Sequence, residues 1–571
     1  MTTRVTAHHP PWLSSYPPGV SNTVDTTQYP SLLALLDESF LQYSQRDAYQ
    51  FLGCDFRFCD IDAASRALAA YFQQQGLNKG DRVAIMLPNC PQYPVVVAAI
   101  WRAGLVVVNI NPLFTSRELA HQLHDSGAQA IVILENFAHT LEQCIDDTAV
   151  EHVVMCAMGD MLGPVRGAWV NAVVRHIKKL VPPFELNTFT RFNEALSLGK
   201  RLACKRVPLE PDDMAVLQYT GGTTGTSKGA VLLHRNLIAN MLQAEAWQQP
   251  ALQRLGPNQQ TVSVCALPLY HIFAFTANML LGLRVGGKNI LIPNPRDIPA
   301  LLNTLKGQVF HNFPAVNTLF NALLNHPQFD DVNWRHLQVT IGGGMAVQGP
   351  VAKRWLERTG CPICEGYGLS ETSPIASCNP VNMTTFSGTI GVPLPNTDMK
   401  CVDDLGQEVP VGEPGEIVIK GPQVMAGYWQ QPDETAKAIC PNGWFRSGDI
   451  GTMDAQGHFK VVDRKKDMIL ISGFNVYPNE IEEVVMELDG VLECAAVGMP
   501  DSLSGEAVKL LVVRKDESLM ADIILDYCRH RLTGYKQPKV IEFRDELPKT
   551  TVGKILRREL RDEAKATYGL T

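Results

Sequence analysis

The chain lacks a long apolar run. Its most hydrophobic stretch, Tyr93 to Ile110, is interrupted by Arg102 and Gly104, short of the ~20 unbroken residues that a membrane span needs. Basic charge is not in excess either. Lys and Arg number 50 against 58 Asp and Glu, a net charge of −8, which argues against a nucleic-acid binder. The 14 cysteines have no framework spacing, and Met1–Pro30 is polar with no apolar core. Reduced thiols and a cytoplasmic setting are therefore expected. Cys361-Pro362-Ile363-Cys364 has no second pair at zinc spacing, so both thiols read as buried and structural. No internal repeat and no long low-complexity tract interrupts the chain.

The 571 residues, 45% hydrophobic and 19% charged, suit a folded protein of two to four domains or subdomains. From Leu32 to about Pro208, helical and strand patterns alternate. Ala63–Gln75 reads as a helix ended by Gly76, Arg82–Leu87 as a strand, and Ala130–Leu134 as a buried strand. Similar alternation runs from Ala215 to about Val381, and the pattern predicts an α/β fold with mostly parallel strands. Past Gly391 short strands and closely spaced Gly, Pro and Asp predict a β-rich subdomain. From about Asp467 the order becomes helix, strand, strand, helix, strand, a small α+β unit. The charged run Asp463–Asp467 is the expected boundary.

The most informative segment is Tyr219-Thr220-Gly221-Gly222-Thr223-Thr224-Gly225-Thr226-Ser227-Lys228-Gly229. It concentrates glycines, hydroxyls and one lysine after the apolar run Met214–Leu217. Such a loop can wrap N–H groups, hydroxyls and a cation around a polyphosphate. A helix-like run starts near His234, so strand–loop–helix is expected. The P-loop order Gly-Lys-Ser/Thr is not present, because Ser227 precedes Lys228.

This loop resembles the phosphate loop of the adenylate-forming enzymes, which include acyl-CoA synthetases, luciferases and peptide-synthetase adenylation domains. Further segments match that family in its order: Pro268-Leu269-Tyr270-His271, Gly342-Gly343-Gly344-Met345, Glu365-Gly366-Tyr367-Gly368-Leu369-Ser370-Glu371-Thr372, Trp444-Phe445-Arg446-Ser447-Gly448-Asp449, Asp463-Arg464 and Pro548-Lys549 through Lys554. The runs Val462–Ile469, Ser472–Glu482 and Val552–Leu560 resemble bacterial long-chain fatty acid–CoA ligases in particular. The resemblance implies two half-reactions. A fatty carboxylate and ATP give acyl-adenylate and pyrophosphate, and coenzyme A then gives the thioester and AMP.

The resemblance also implies roles. Thr220, Thr223, Thr224 and Lys228, with Tyr219, Gly221, Gly222 and Gly225, would hold the triphosphate. Glu371 and Thr220 would hold Mg²⁺. Gly343, Gly344 and Met345 would lie against adenine, with Tyr367 stacked on it and Gly366, Gly368 and Thr372 beside it. Asp449 and Arg464 would take the ribose, and His271 would lie beside the carboxylate. Lys554 would bridge carboxylate and α-phosphate. Residues 1–465 would form the large domain, with two α/β sheets and the β-rich subdomain. Residues 466–571 would form a small mobile domain hinged at Lys466, whose rotation presents Gly473 to coenzyme A. Phe273, Phe275 and Met279 are candidates for the acyl tunnel, or equally for ordinary helix core.

Between Trp169 and Val181, apolar residues recur at helical spacing with Arg175, Lys178 and Lys179 on the other face. That pattern fits either an interfacial helix or one packed on the protein's own core. The resemblance favours peripheral contact with the cytoplasmic face of the membrane. Two other functions stay open: a medium-chain or aryl acid–CoA ligase, and a non-catalytic acyl or nucleotide sensor. Oligomeric state is not fixed by the sequence.

Overall fold

A computed structural model describes residues 10–220, 227–256, 259–550 and 553–568. A nine-stranded sheet carries, in spatial order, Val392–Pro393, Ile375–Cys378, Ile363–Gly368, Val339–Gly342, Asn312–Ala315, Val262–Cys265, Lys288–Leu291, Asp47–Phe51 and Cys54–Arg57. Its central strands pair in parallel. An eight-stranded sheet runs Gly427–Tyr428, Lys228–Leu233, Met214–Thr220, Val106–Asn109, Arg82–Met86, Ala130–Leu134, His152–Cys156 and Thr190–Arg191, again parallel through its middle. The expected α/β alternation is therefore present.

Helices Phe58–Gln74, Gln92–Arg102 and His234–Leu252 share one core with strands of both sheets. All of Gln92–Arg102 is buried, which explains why that stretch reads as apolar all round. Arg102 is tolerated there because Asp37, 3.0 Å away, and Asp62 neutralise it.

The expected strand from Met214 and the helix from His234 are both present, and a further strand stands between them. Lys228-Gly229-Ala230-Val231-Leu232-Leu233 folds back as a strand antiparallel to Met214–Thr220, with Thr220 opposite Lys228. Its continuous apolar run suits a strand buried in a sheet, and helix His234–Leu252 begins only after it. Gly221–Gly225, with Thr226, lie outside the described residues.

Past Gly391, strands Asp398–Val402, Gly415–Lys420, Phe445–Met453 and Phe459–Arg464 form a four-stranded antiparallel sheet. The last unit is a five-stranded sheet built on the long hairpin Val491–Asp501 and Gly505–Arg514. It has its own core clusters. Residues 10–16 close one flank: Trp12 meets Phe459, and the Tyr16 hydroxyl donates to the Pro393 carbonyl at 2.7 Å.

Cys361 and Cys364 are both buried free thiols, as expected. Among the described residues no helix is long and apolar enough to cross a membrane.

Candidate active site

Lys554 is the organising residue. It sits in a tight loop where the Thr550 N–H donates to the Lys554 carbonyl at 2.7 Å and the Lys554 N–H donates to Thr550 Oγ1 at 3.1 Å. Three contacts dock the last unit on the large sheets. Thr318 Oγ1 donates to the Gly553 carbonyl at 3.0 Å, Arg296 to the Thr550 carbonyl at 3.3 Å, and Asn321 Nδ2 to the Leu492 carbonyl at 3.0 Å. The ammonium is thereby brought, half-buried, near Arg464, Asp449 and His271. The Arg464 charge and burial push its pKa down to about 7, against the opposing pull of Asp449.

Asp449 and Arg464 are register partners on adjacent strands. Arg464 Nε lies 3.2 Å from Asp449 Oδ1, and the Tyr367 hydroxyl donates to Oδ2 at 2.7 Å. Asp449 is buried. His271 caps the helical turn that follows, its Nδ1 accepting the Phe273 N–H at 3.3 Å. Burial, then the nearby Lys554 charge, lowers its pKa to about 4. His271 is therefore neutral at ordinary pH, a steric and hydrogen-bonding group rather than a charge.

Gly343 is where backbone must come close. A Cβ there would lie 2.9 Å from the Phe273 ring and 3.1 Å from the Gly366 carbonyl. Gly344 follows with φ +78° and half-buried Met345 flanks it. A Cβ at Gly368 would fall 1.9 Å from the Pro374 carbonyl, so the Tyr367 strand and the turn after it need glycine. Phe273 thus lies at the junction of His271, Gly343 and Gly366. Phe275 does not: it is fully buried, edge-on to Trp101 at 5.9 Å. Met279 is buried in the same core, within a π-helical segment Phe275–Leu280.

Glu371 is buried, and its Oε1 accepts the Tyr428 hydroxyl at 2.8 Å. Burial raises its pKa. Thr220 ends its strand, and its carbonyl accepts the Ser227 hydroxyl. Lys228 pairs with Glu434, and its ammonium lies 5.2 Å from the Tyr428 ring centre. Two other expected contacts are spent locally. The Thr372 hydroxyl is fully buried, accepting the Leu369 N–H at 2.9 Å and donating to the Pro374 carbonyl. The Tyr219 hydroxyl donates to Asp125 at 2.5 Å, and its ring belongs to a core cluster of the eight-stranded sheet.

Gly473 is not part of this cluster. It has φ +86°, and nothing lies within 4 Å of a Cβ placed there. Lys466 sits between the two sets. Its carbonyl accepts from Arg561 at 3.2 Å, and its pKa falls to about 8 through burial and then the Arg464 charge.

Tyr428 and Glu434 went unforeseen in the sequence, while Glu365, Asp463 and Arg557 fell inside matched segments without a role of their own. Tyr428 and Glu434 come from Gly427–Thr435, which reads as an ordinary turn and helix start. Glu365 lies one residue before the Gly-Tyr-Gly run. It accepts the Val347 N–H at 3.0 Å, and burial pushes its pKa up to about 8. Asp463 accepts the Asn479 N–H at 2.9 Å, and Arg557 joins Asn479 to Glu482. A buried acid before a glycine run is a signal sequence reading could have used; the others carry none.

In comparisons with known proteins, the AMP-binding enzyme family model matches residues 36–429, and that of the AMP-binding enzyme C-terminal domain matches 480–554. The chain is 54% identical to a long-chain-fatty-acid–CoA ligase of Escherichia coli O6:H1, over 97% of this chain and 98% of the relative. It superposes with a TM-score of 0.83 on the anthranilate CoA ligase AuaEII in complex with anthranoyl-AMP, covering 96% of this chain and 100% of that one. At 22% identity that match speaks for the fold alone. ATP-bound MatB from Rhodopseudomonas palustris matches at 27% identity and a TM-score of 0.77, over 94% and 99% of the two chains.

Proposed function

The chain belongs to the AMP-binding enzymes and is an ATP-dependent, AMP-forming long-chain fatty acid–CoA ligase; from that premise we propose how its residues divide the work. The observation that carries the proposal is the buried Asp449, held by Arg464 at 3.2 Å and by the Tyr367 hydroxyl at 2.7 Å, with half-buried Lys554 close enough to feel both charges. A carboxylate that attacks the α-phosphate adds one anion to another, so the barrier is electrostatic. Lys554 lies where those two charges meet, and Lys228 takes the distal phosphates. Asp449 accepts the ribose hydroxyls while Arg464, 3.2 Å away, orients it. Gly343, Gly344 and Met345 form the backbone edge against adenine, with Tyr367 beside the ring. Of the three tunnel candidates, Phe273 alone borders His271 and Gly343. It forms the wall or gate for the acyl chain.

The donor set fits magnesium carried by nucleotide. Among the described residues no group of three or more His, Cys, Asp or Glu side chains could hold a metal. Magnesium keeps waters and phosphate oxygens and needs only one or two protein oxygens. Glu371, with the Thr220 hydroxyl, would hold it there, where it supplies neutralisation of phosphate charge.

The second half-reaction needs Lys554 withdrawn and a thiol admitted. Lys466 is the pivot. The unit after it carries Gly473, whose open position and positive φ allow a pantetheine arm to pass close.

Peripheral membrane contact is the second part of the reading. Helix Pro164–Ala172 and the π turn Val173–Ile177 expose Val165, Trp169, Ile177 and Leu180 to solvent. The same segment packs on the protein's own core through buried Val170 and half-buried Val174, which leaves these four side chains on the solvent face. Lys178 and Lys179 are exposed beside them, whereas Arg175 is bound to Glu135 at 2.8 Å and is unavailable to lipid. Apolar anchors with flanking lysines suit an anionic membrane surface.

A first experiment offers Mg·ATP, coenzyme A and a mixture of butyrate, octanoate, palmitate, oleate and benzoate, with thioesters identified by mass. Palmitoyl- and oleoyl-CoA should dominate; thioesters of the short or aryl acids would discard the long-chain reading. Sedimentation with anionic vesicles should be lost in Trp169→Asp, and unchanged sedimentation would remove the membrane part.

A further inference from the structure

The segment Gly427–Ala438 ties together the two ends of the phosphate site, and nothing in the two half-reactions uses it. Tyr428 donates to Glu371, and its own N–H donates to Thr435 Oγ1 at 2.8 Å. The short helix Pro432–Ala438 then brings Glu434 to Lys228. One carboxylate oxygen of Glu434 meets the Lys228 ammonium, and the other accepts from Lys437 Nζ at 2.7 Å. An acid is therefore in direct contact with the lysine assigned to the triphosphate.

We propose that Glu434 is a positioning residue that competes with the polyphosphate for Lys228, and so sets both the affinity for ATP and the ease of pyrophosphate release. This rests on the assignment of Lys228 to the distal phosphates. Among the described residues the ammonium has one anionic partner, Glu434, and a phosphate oxygen that takes it must displace or share that partner. Two features make the exchange easy. Lys437, far more exposed than Lys228, already holds the second oxygen of Glu434, so the carboxylate keeps a cation when it lets Lys228 go. The Glu434 side chain is itself 32% exposed, so water can take the place of the ammonium beside its carboxylate. In the reverse direction, Glu434 retakes the ammonium as pyrophosphate departs. The same lysine can then hold ATP without trapping its product.

The test uses the full-length enzyme and calorimetric dissociation constants for Mg·ATP and Mg·pyrophosphate, with single-turnover thioester formation from preformed palmitoyl-adenylate alongside. Glu434→Gln keeps size and hydrogen-bonding capacity but removes the charge. Both ligands should bind about three- to five-fold more tightly, the range for one partly exposed ion pair. Thioester formation should be unchanged, and Glu434→Asp should stay near wild type. A merely structural role predicts weaker binding and slower thioester formation in Glu434→Gln. That result, or unchanged constants, overturns the proposal. Lys228→Met separates the two levels. Weakened ATP binding in Lys228→Met with no change in Glu434→Gln refutes the competition alone. Unchanged binding in Lys228→Met refutes the phosphate assignment and the competition with it.

Discussion

Substrate binding should be accompanied by uptake of a proton at Lys554, and the pH dependence of that uptake follows from the site. The half-buried ammonium lies near the Arg464 guanidinium, which with desolvation holds its pKa at about 7 instead of the ordinary 10.5. By simple titration roughly nine-tenths of the lysine is neutral near pH 8, half near pH 7 and about one-tenth near pH 6. A fatty carboxylate and a triphosphate bring negative charge to the same point, which favours the protonated form. Restoring ordinary lysine behaviour would recover roughly 5 kcal/mol of interaction. Titrating ATP and palmitate, or a stable palmitoyl-adenylate mimic, in buffers of different ionisation heat measures the protons taken up. Uptake should approach about one proton near pH 8 and fall towards zero near pH 6. Lys554→Arg keeps a charge that does not titrate, so the difference between the two proteins isolates Lys554 from Lys466 and from the nucleotide. A difference that does not vary between pH 6 and pH 8 would refute the electrostatic account. The same shift has a stability counterpart. The folded state releases this proton above about pH 7 while the unfolded chain keeps it to near 10.5, so the contribution of Lys554 to stability rises with pH across that window.

Other outcomes follow from the same geometry. Lys554→Ala should slow adenylation by about 10²–10³, the range for losing one preorganised charge donor, and largely spare thioester formation from preformed acyl-adenylate; equal loss in both half-reactions, read by quenched flow, would contradict the assignment. Lys466→Pro fixes φ at the proposed pivot, so it should allow adenylation and block thioester formation, and normal turnover would remove the pivot. Tyr428→Phe deletes the hydroxyl on Glu371, and the magnesium concentration for half-maximal adenylation should rise several-fold with palmitate affinity unchanged; an unaltered magnesium dependence would detach Tyr428 from that site.

The sequence was most legible where backbone chemistry forces residue type. Gly343 and Gly368 stand where a Cβ would strike Phe273 or the Pro374 carbonyl, so glycine there is required and the motif shows it. Likewise the α/β alternation was readable because buried parallel strands such as Ala130–Leu134 are continuously apolar. The hairpin strand Lys228–Leu233 was not legible because it is a short apolar run leading directly into a helix, and periodicity alone does not assign a run of that length. Tunnel candidates divided for a similar reason. Phe273 and Phe275 are two residues apart on one helical turn and so point different ways, one to the Gly343 backbone and one into the Trp101 core.

What the sequence could not reveal is pairing across distance, and here that pairing decides the electrostatics. Asp449 and Arg464 are each visible as motif residues, but only strand register makes them partners. Only the docking of Thr550–Lys554 on Thr318 and Arg296 then adds a third charge. Lys554 is depressed because that docking places a second cation near it, and His271 is held neutral partly by Lys554 in turn. The docked arrangement is therefore under electrostatic tension that one carboxylate, Asp449, only partly offsets. On the proposed function, anionic substrates would relieve it and so couple their arrival to closure over the site. Once pyrophosphate has left, the site holds less negative charge and the cation–cation repulsion returns, favouring withdrawal of Lys554. On this view the charges that assist adenylation also bias the small unit to leave afterwards, with Lys466 as its pivot.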